Sequence, residues 1–215
     1  MQEIFKRKSQ IIYEKLKENI MGGKYKPNQR IIISKIAKEF GTSEIPVRES
    51  IKNLEAEGLI QVIPYAGAVV KGFNLEALEK IYQVRTNLEG LATKIAAENI
   101  EEKDLALLEK IFDEMGKQVQ DKRYEALGIS NAQFHKTIYL ISNNEYLCKY
   151  IFELWDMSFR TPGIFAFAPE RAEQSHLEHK KILSALKNRD GILAEKLIVE
   201  QKEHSLNALR RTLEN

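Results

Sequence analysis

Three histidines in the C-terminal two thirds of the chain, His135, His179 and His204, have the most chemistry to offer. His135 shares a helical face with Ile138 and Tyr139, and Asn131 sits one turn before it. His179 shares a face with Ile182, Leu183 and Leu186, while His204 falls seven residues after Leu197 and so on that residue's stripe. Neutral imidazole is a ligand for Zn, Ni, Cu or Fe, and three imidazoles sent inward from three helices would cage such an ion. One inward histidine is more often a hydrogen-bonded core residue, and spacing alone leaves the two readings level.

A second kind of chemistry lies near the other end, in "GTSEIPVRESIKNLEAEGLI", residues 41–60. Ser43 is suited to cap a helix, Pro46 falls in its first turn, and Arg48 lies one turn inside. The unpaired N–H groups of such a turn bind phosphate, and an arginine there reaches phosphate or the O6/N7 edge of guanine. Glu44 stands at the same entrance, where a polyanion would have to approach. As a groove-facing group it could accept from cytosine N4, or it could pair with a basic neighbour and repel wrong sites.

The elements that must position these residues follow from periodicity and punctuation. Ile12, Leu16 and Ile20 predict a helix over residues 9–20, stopped by Gly22 and Gly23 before Pro27. Residues 30–33 are β-branched and short, a strand. Ser34 is then a cap candidate for a helix running to Phe40 and ended by Gly41. Val47, Ile51 and Leu54 form an inward stripe at i, i+4, i+7, and Gly58 closes that helix. "LIQVIPYAGAVVKG" supplies two β-rich runs around a Pro-Tyr-Ala-Gly turn, a hairpin. Helix, strand, helix, turn, helix, hairpin is a winged helix-turn-helix, expected over residues 1–72. From residue 73 onward the pattern is almost wholly helical, with "NIEEKD", "SNNE", "TPG" and "NRDG" as short links, and it predicts an all-α six-helix bundle. The fold class expected is therefore mainly α.

Composition agrees with two soluble domains. The chain has 215 residues, 43% hydrophobic and 30% charged. Residues 1–73 carry 13 Lys and Arg against 8 Asp and Glu, whereas the rest carries 20 against 23. A basic head on an acidic body suits a polyanion-binding module joined to a sensing or assembly domain. One cysteine, Cys148, excludes an intrachain disulfide and fits a reducing compartment. No apolar run approaches the ~20 residues of a spanning helix, and no signal-peptide core is visible, so a cytoplasmic protein without a membrane partner is expected.

The residues just quoted also carry a family resemblance. "KYKPNQRI", "EFGTSEIPVRESIKNLEAEGLI" and "YAGAVV" resemble the head of the GntR family of bacterial transcription regulators over about residues 5–71. That resemblance implies DNA contacts at Ser34, Ser43, Ile45, Arg48 and Gly67. The family usually has Arg where Glu44 stands, and a Ser cap where Ile32 stands. "YQVRTNLEGLATKIAA", "NAQFHKTI", "EHKKILSAL" and "HSLNALR" resemble the FCD ligand-sensing domain of its FadR branch over about residues 74–211. Mapped here, the resemblance implies metal ligands at Asn131, His135, His179 and His204, and it places Arg85 near an effector. Asn131 replaces a more usual Asp, and His176 is expected to be a neighbour rather than a ligand.

The expected protein is a homodimeric repressor on a palindromic double-stranded operator, controlled by a small carboxylate effector and holding a divalent metal such as Zn or Ni. Two other classes remain at this point. A metal-dependent hydrolase would use the same cage with an open position, but no Asp or Glu is evidently placed as its base. A DNA-independent interaction protein would show no salt-dependent duplex binding.

Overall fold

The computed structural model describes residues 8–21, 24–26, 28–63, 67–71, 75–158 and 164–214. The chain divides near residue 73 into two compact units. The amino-terminal unit contains α1 (Lys8–Met21), β1 (Arg30–Ile31), α2 (Ile33–Glu39), α3 (Glu44–Ala56), β2 (Ile60–Ile63) and β3 (Gly67–Val70). Ile12, Leu16 and Ile20 recur one turn apart on α1, and all three are buried with Val47, Ile51 and Leu54 of α3. The two helices pack through these rows. A fully buried Leu, Ile or Val contributes roughly 1.5–3 kcal/mol relative to its exposed state, and the same core also holds Ile31, Ile36, Leu59, Ile60 and Val70. The buried Ser50 hydroxyl fastens the pair: it lies 2.6 Å from the Ser9 carbonyl oxygen on α1 and 2.8 Å from that of Pro46.

Gly41 makes the turn between α2 and α3. Its φ of 56° is one that a Cβ disfavours, and the Thr42 N–H donates back to the Ala37 carbonyl at 3.0 Å, closing α2 in a Schellman-type turn. The three strands form one antiparallel sheet in the order β1-β3-β2, with Arg30 opposite Val69 and Ile63 opposite Gly67. This is the expected winged helix-turn-helix.

One local expectation is revised. Ser34 does not cap α2, and β1 stops at Ile31. The cap position is Ile32, whose carbonyl accepts from both Lys35 N–H at 3.1 Å and Ile36 N–H at 3.2 Å. Ser34 therefore sits exposed in the first turn. The stop at residues 22–23, Pro27, the hairpin turn at residues 64–66, the connector at residues 72–74 and the link at residues 161–163 lie outside the described residues.

The second unit is helical: α4 (Leu75–Asn99), α5 (Glu102–Gln120), α6 (Tyr124–Ile141), α7 (Glu145–Ser158), α8 (Ile164–Phe167), α9 (Arg171–Lys187) and α10 (Gly191–Glu214). Six of these are the expected bundle helices. The addition is α8, too short to show a period in sequence, which buries Phe165 among α6, α9 and α10. The core runs through Leu108, Met115, Phe134, Ile138, Ile151, Ile182, Leu186 and Ile198. The two longest helices, α4 and α10, lie against each other, and Gly90 permits it. A Cβ there would stand 3.2 Å from Val199 Cγ2. Among the described residues, no helix is long and apolar enough to cross a membrane.

Candidate functional site: an exposed helix and a buried polar centre

Helix α3 buries one face and presents the other. Ser43 occupies its cap position with extended backbone (φ −74°, ψ 168°) and makes no side-chain cap hydrogen bond. Ser43 and Arg48 are exposed, and Ile45 is 76% exposed, large for an isoleucine without a partner surface. Gly67 opens β3 with φ 88°, and a Cβ there would meet the Arg30 guanidinium at 3.6 Å. Arg30 thus brings a cation to the base of the wing, a contact that sequence reasoning did not single out. Glu44 joins Arg48: the carboxylate accepts from Arg48 Nη2 at 2.7 Å, with the two side chains 44% and 60% exposed. Its position in the first turn also suits the positive end of the helix dipole.

The second site is inside the bundle, around a residue that sequence reasoning quoted without giving a role. Glu89 is completely buried on α4. Its Oε1 accepts from Arg85 Nε at 2.9 Å and from Trp155 Nε1 on α7 at 2.7 Å. Its Oε2 accepts from the Tyr139 hydroxyl on α6 at 2.7 Å, and Lys202 Nζ on α10 lies 2.9 Å away. Four helices converge on one carboxylate. Burial alone would raise its pKa, but the Lys202 and Arg85 cations and the hydrogen bonds from Tyr139 and Lys202 outweigh burial and hold it at about 2. Burial likewise works against the charge of Lys202, with Glu89 pulling the other way, and the net displacement is downward. Arg85 also donates from Nη1 to the Ser158 hydroxyl at 2.7 Å and lies over the rings of Tyr82 and Trp155.

His135 and His179 are buried beside this centre, with their Nε2 atoms 3.1 Å apart. His179 Nδ1 lies 2.6 Å from the Ser175 carbonyl oxygen, which can only accept, so the proton is on Nδ1 and Nε2 carries the lone pair. Burial lowers the His179 pKa to about 3, with the charge of Lys202 adding to the effect. His135 is lowered well below the ordinary value by burial, then by Lys202, His179 and Arg85. Both rings are neutral at pH 7.

The other residues of the expected metal set lie differently. Asn131 is half-buried on α6, one turn before His135. His204 is not in the group: its side chain is 56% exposed, and Nδ1 lies 2.9 Å from Glu178 Oε1. The buried row of α10 is Ala194, Ile198, Gln201 and Lys202, then Ala208, and Leu197 is only on its flank. A stripe counted from Leu197 therefore leads to the wrong line. Gln201 faces the imidazoles instead, its Nε2 3.4 Å from His179 Nε2. His176 stacks on Phe112 at 4.2 Å. Among the described residues, no group of three or more His, Cys, Asp and Glu is placed to hold a metal. Two imidazoles, neutral amides and an ammonium on the next residue are a poor donor set for a divalent ion, which requires electron-pair donors and negative charge. The residues do not fit the implied metal.

Comparison with known proteins accounts for both units. Residues 8–70 match the family described as "Bacterial regulatory proteins, gntR family", and residues 80–201 match the FCD domain. An HTH-type transcriptional regulator of Bacillus subtilis, YdhC, is 28% identical over 203 residues, covering 94% of this chain and 91% of the relative. The HTH-type transcriptional regulator McbR of Escherichia coli is 29% identical over 179 residues, covering 81% and 80%. The HTH-type transcriptional repressor GlaR of the same organism is 23% identical over 205 residues, covering 92% of each. The solved structure of Escherichia coli McbR/YncC superposes with a TM-score of 0.71 at 25% identity, covering 94% of this chain and 97% of that one. With both units matched in sequence order, the chain belongs to the GntR family of bacterial regulators, with an FCD domain as its second unit, and is a transcriptional regulator rather than an enzyme.

Proposed function

We propose that the protein is a homodimeric repressor that places α3 of each copy in the major groove of a palindromic operator and releases it when a small acid binds in the helical unit. The observation that carries the reading is the exposed face of α3. Ser43, Ile45 and Arg48 are displayed on a helix whose opposite face, Val47, Ile51 and Leu54, is fully seated in the core. A recognition helix needs this arrangement, a rigid element with short and cationic side chains at its amino-terminal end. Glu44 tempers Arg48 in the unbound protein and disfavours sites that cannot offer the carboxylate a donor such as cytosine N4. Gly67 and Arg30 meet the backbone beside the wing.

The buried centre supports the effector half of the reading. Arg85 and Lys202 share a single carboxylate, Glu89, so the centre holds more positive than negative charge in a medium of low dielectric. An organic anion is the complementary ligand. Regulation requires that it bind the DNA-bound and free forms unequally. Exposed Leu91 on α4 and Ile192 and Leu193 on α10, helices that pack together, offer apolar surface for a second copy. The repressor sense follows relatives whose names state it, such as GlaR.

Selection of bound fragments from the genomic DNA of the host tests the reading. Enrichment of an inverted repeat with half-sites about 34–36 Å apart, or a multiple of that, is the expected result. Recovery of fragments without a shared sequence contradicts it.

A further inference from the structure

Three features of the buried centre have no place in a metal-binding account: the amide facing the imidazoles, the ammonium beside them, and two polar groups without partners. We infer that the helical unit binds its ligand without a resident divalent metal, and that Lys202 supplies the positive charge that an acid ligand meets there. The inference rests on the effector reading above and specifies its chemistry.

The helix geometry leads to Gln201. His179 presents a lone pair at Nε2 that faces two nitrogens, His135 Nε2 at 3.1 Å and the Gln201 amide nitrogen at 3.4 Å, and both face it as N–H donors. That orientation turns Oε1 away, and Oε1 is buried with no hydrogen-bond partner among the described residues. A third metal-binding side chain on α10 would have to stand at position 201, where the amide stands now. His204 cannot replace it, because it points to Glu178 on the outer side.

Lys202, on the next residue, is 8% exposed and gives one of an ammonium's three N–H donors to Glu89. Its charge reaches both His135 and His179 and lowers the pKa of each. A divalent ion seated on those rings would feel the same repulsion. Glu89 cannot offset it, since Arg85, Trp155, Tyr139 and Lys202 already occupy its two oxygens. An anion faces the opposite balance: one uncompensated positive charge with N–H donors remaining on Lys202.

Unpartnered polar atoms remain around His179. Gln201 Oε1 lacks a donor. Arg171, 6% exposed, is paired with Glu178 through Nη2, while its Nε and Nη1 are buried without partners among the described residues. Its charge also reaches His179. An anion answers the surplus positive charge, whereas a divalent cation would add to it.

The chain's single tryptophan, Trp155, donates to Glu89 and reports on the centre directly. Full-length protein is titrated with ZnCl2, and separately with lactate, acetate and lactamide, while Trp155 emission is followed; metal content after purification is measured by mass spectrometry. The expected results are substoichiometric metal, no saturable zinc response in the micromolar range, a saturable response to lactate or acetate and none to the neutral lactamide. Lys202→Met should weaken lactate about 10- to 100-fold, the loss of a charge-assisted hydrogen bond. The double variant Gln201→His/Lys202→Met, checked for folding by circular dichroism, should gain zinc binding. Stoichiometric zinc in the wild-type protein, or no zinc gain in the folded double variant, overturns the inference while leaving effector control intact. A lactate response unchanged by Lys202→Met overturns the role of Lys202. Silence to all the acids in the wild type, with zinc still refused, counts against an acid effector.

Discussion

The two units each contain an arginine and a glutamate four residues apart on one helix, and the pairs do opposite things. Glu44 and Arg48 on α3 touch at 2.7 Å with both side chains in water. Arg85 and Glu89 on α4 touch at 2.9 Å with almost none of either exposed. A solvated pair is worth about 0–1 kcal/mol, so its charges stay available to a polyanion. A buried pair is held by what surrounds it, and removing one member strands the other in a medium that cannot solvate it. In the head the charges are displayed; in the body they are stored. Recognition of DNA needs the first and selective capture of a small ion needs the second.

The sharpest way to break this contrast is Glu89→Gln. It leaves Arg85 and Lys202 facing each other without their shared carboxylate, and we expect a loss of about 3–5 kcal/mol in urea denaturation. A change as small as that of a surface pair would mean that the centre is not held by charge. Next in size is Leu54→Ala in the head, a fully buried side chain, with an expected cost of about 2–5 kcal/mol. The loss should appear in the unfolding of the amino-terminal unit and spare the near-ultraviolet signal of Trp155.

Acid should test the buried pair as well. Glu89 in the folded protein has its pKa lowered to about 2 from an ordinary 4.5. The unfolded chain therefore takes up a proton first, and the stability from Glu89 is complete above pH 4.5 and is lost as pH falls toward 2. Denaturation midpoints across that window should fall steeply in the wild type and more gently in Glu89→Gln. An equally steep fall in both would place the acid sensitivity elsewhere.

The smallest expected change in stability, within about 0.5 kcal/mol, belongs to Glu44→Arg. Its effect should appear in DNA binding, as tighter non-specific association and a salt dependence steeper by about one phosphate equivalent. If affinity and slope both stay put, Glu44 is not at the interface.

Much of the head was legible in the sequence because its signals are local. Val47, Ile51 and Leu54 mark a face by spacing alone, and Gly41 stops a helix for reasons internal to its own backbone. The start of α2 was read two residues late because Ser34 is a better capper than Ile32, while backbone bonding had already begun at Ile32. In the body, the helices were legible and the centre was not. Glu89 and Lys202 look like surface charges in any local window, since Glu89 is met from α6, α7 and α10 and Lys202 from α4. His204 was misplaced for a related reason: seven residues preserve a stripe, but Leu197, the starting point, lies on the flank of the buried row. Counting from Ile198 instead leads to Gln201 and Lys202, the residues that face His179 and Glu89.

The central claim is that α3 reads duplex DNA with Arg48 as its cation. It is tested most directly by measuring the dissociation constant of wild type and Arg48→Ala on one selected genomic fragment, at two salt concentrations. The account predicts a loss of about 1–3 kcal/mol in binding, with the thermal midpoint of the protein unmoved because Arg48 is exposed. Equal affinity of the two proteins, with equal salt slopes, would contradict it.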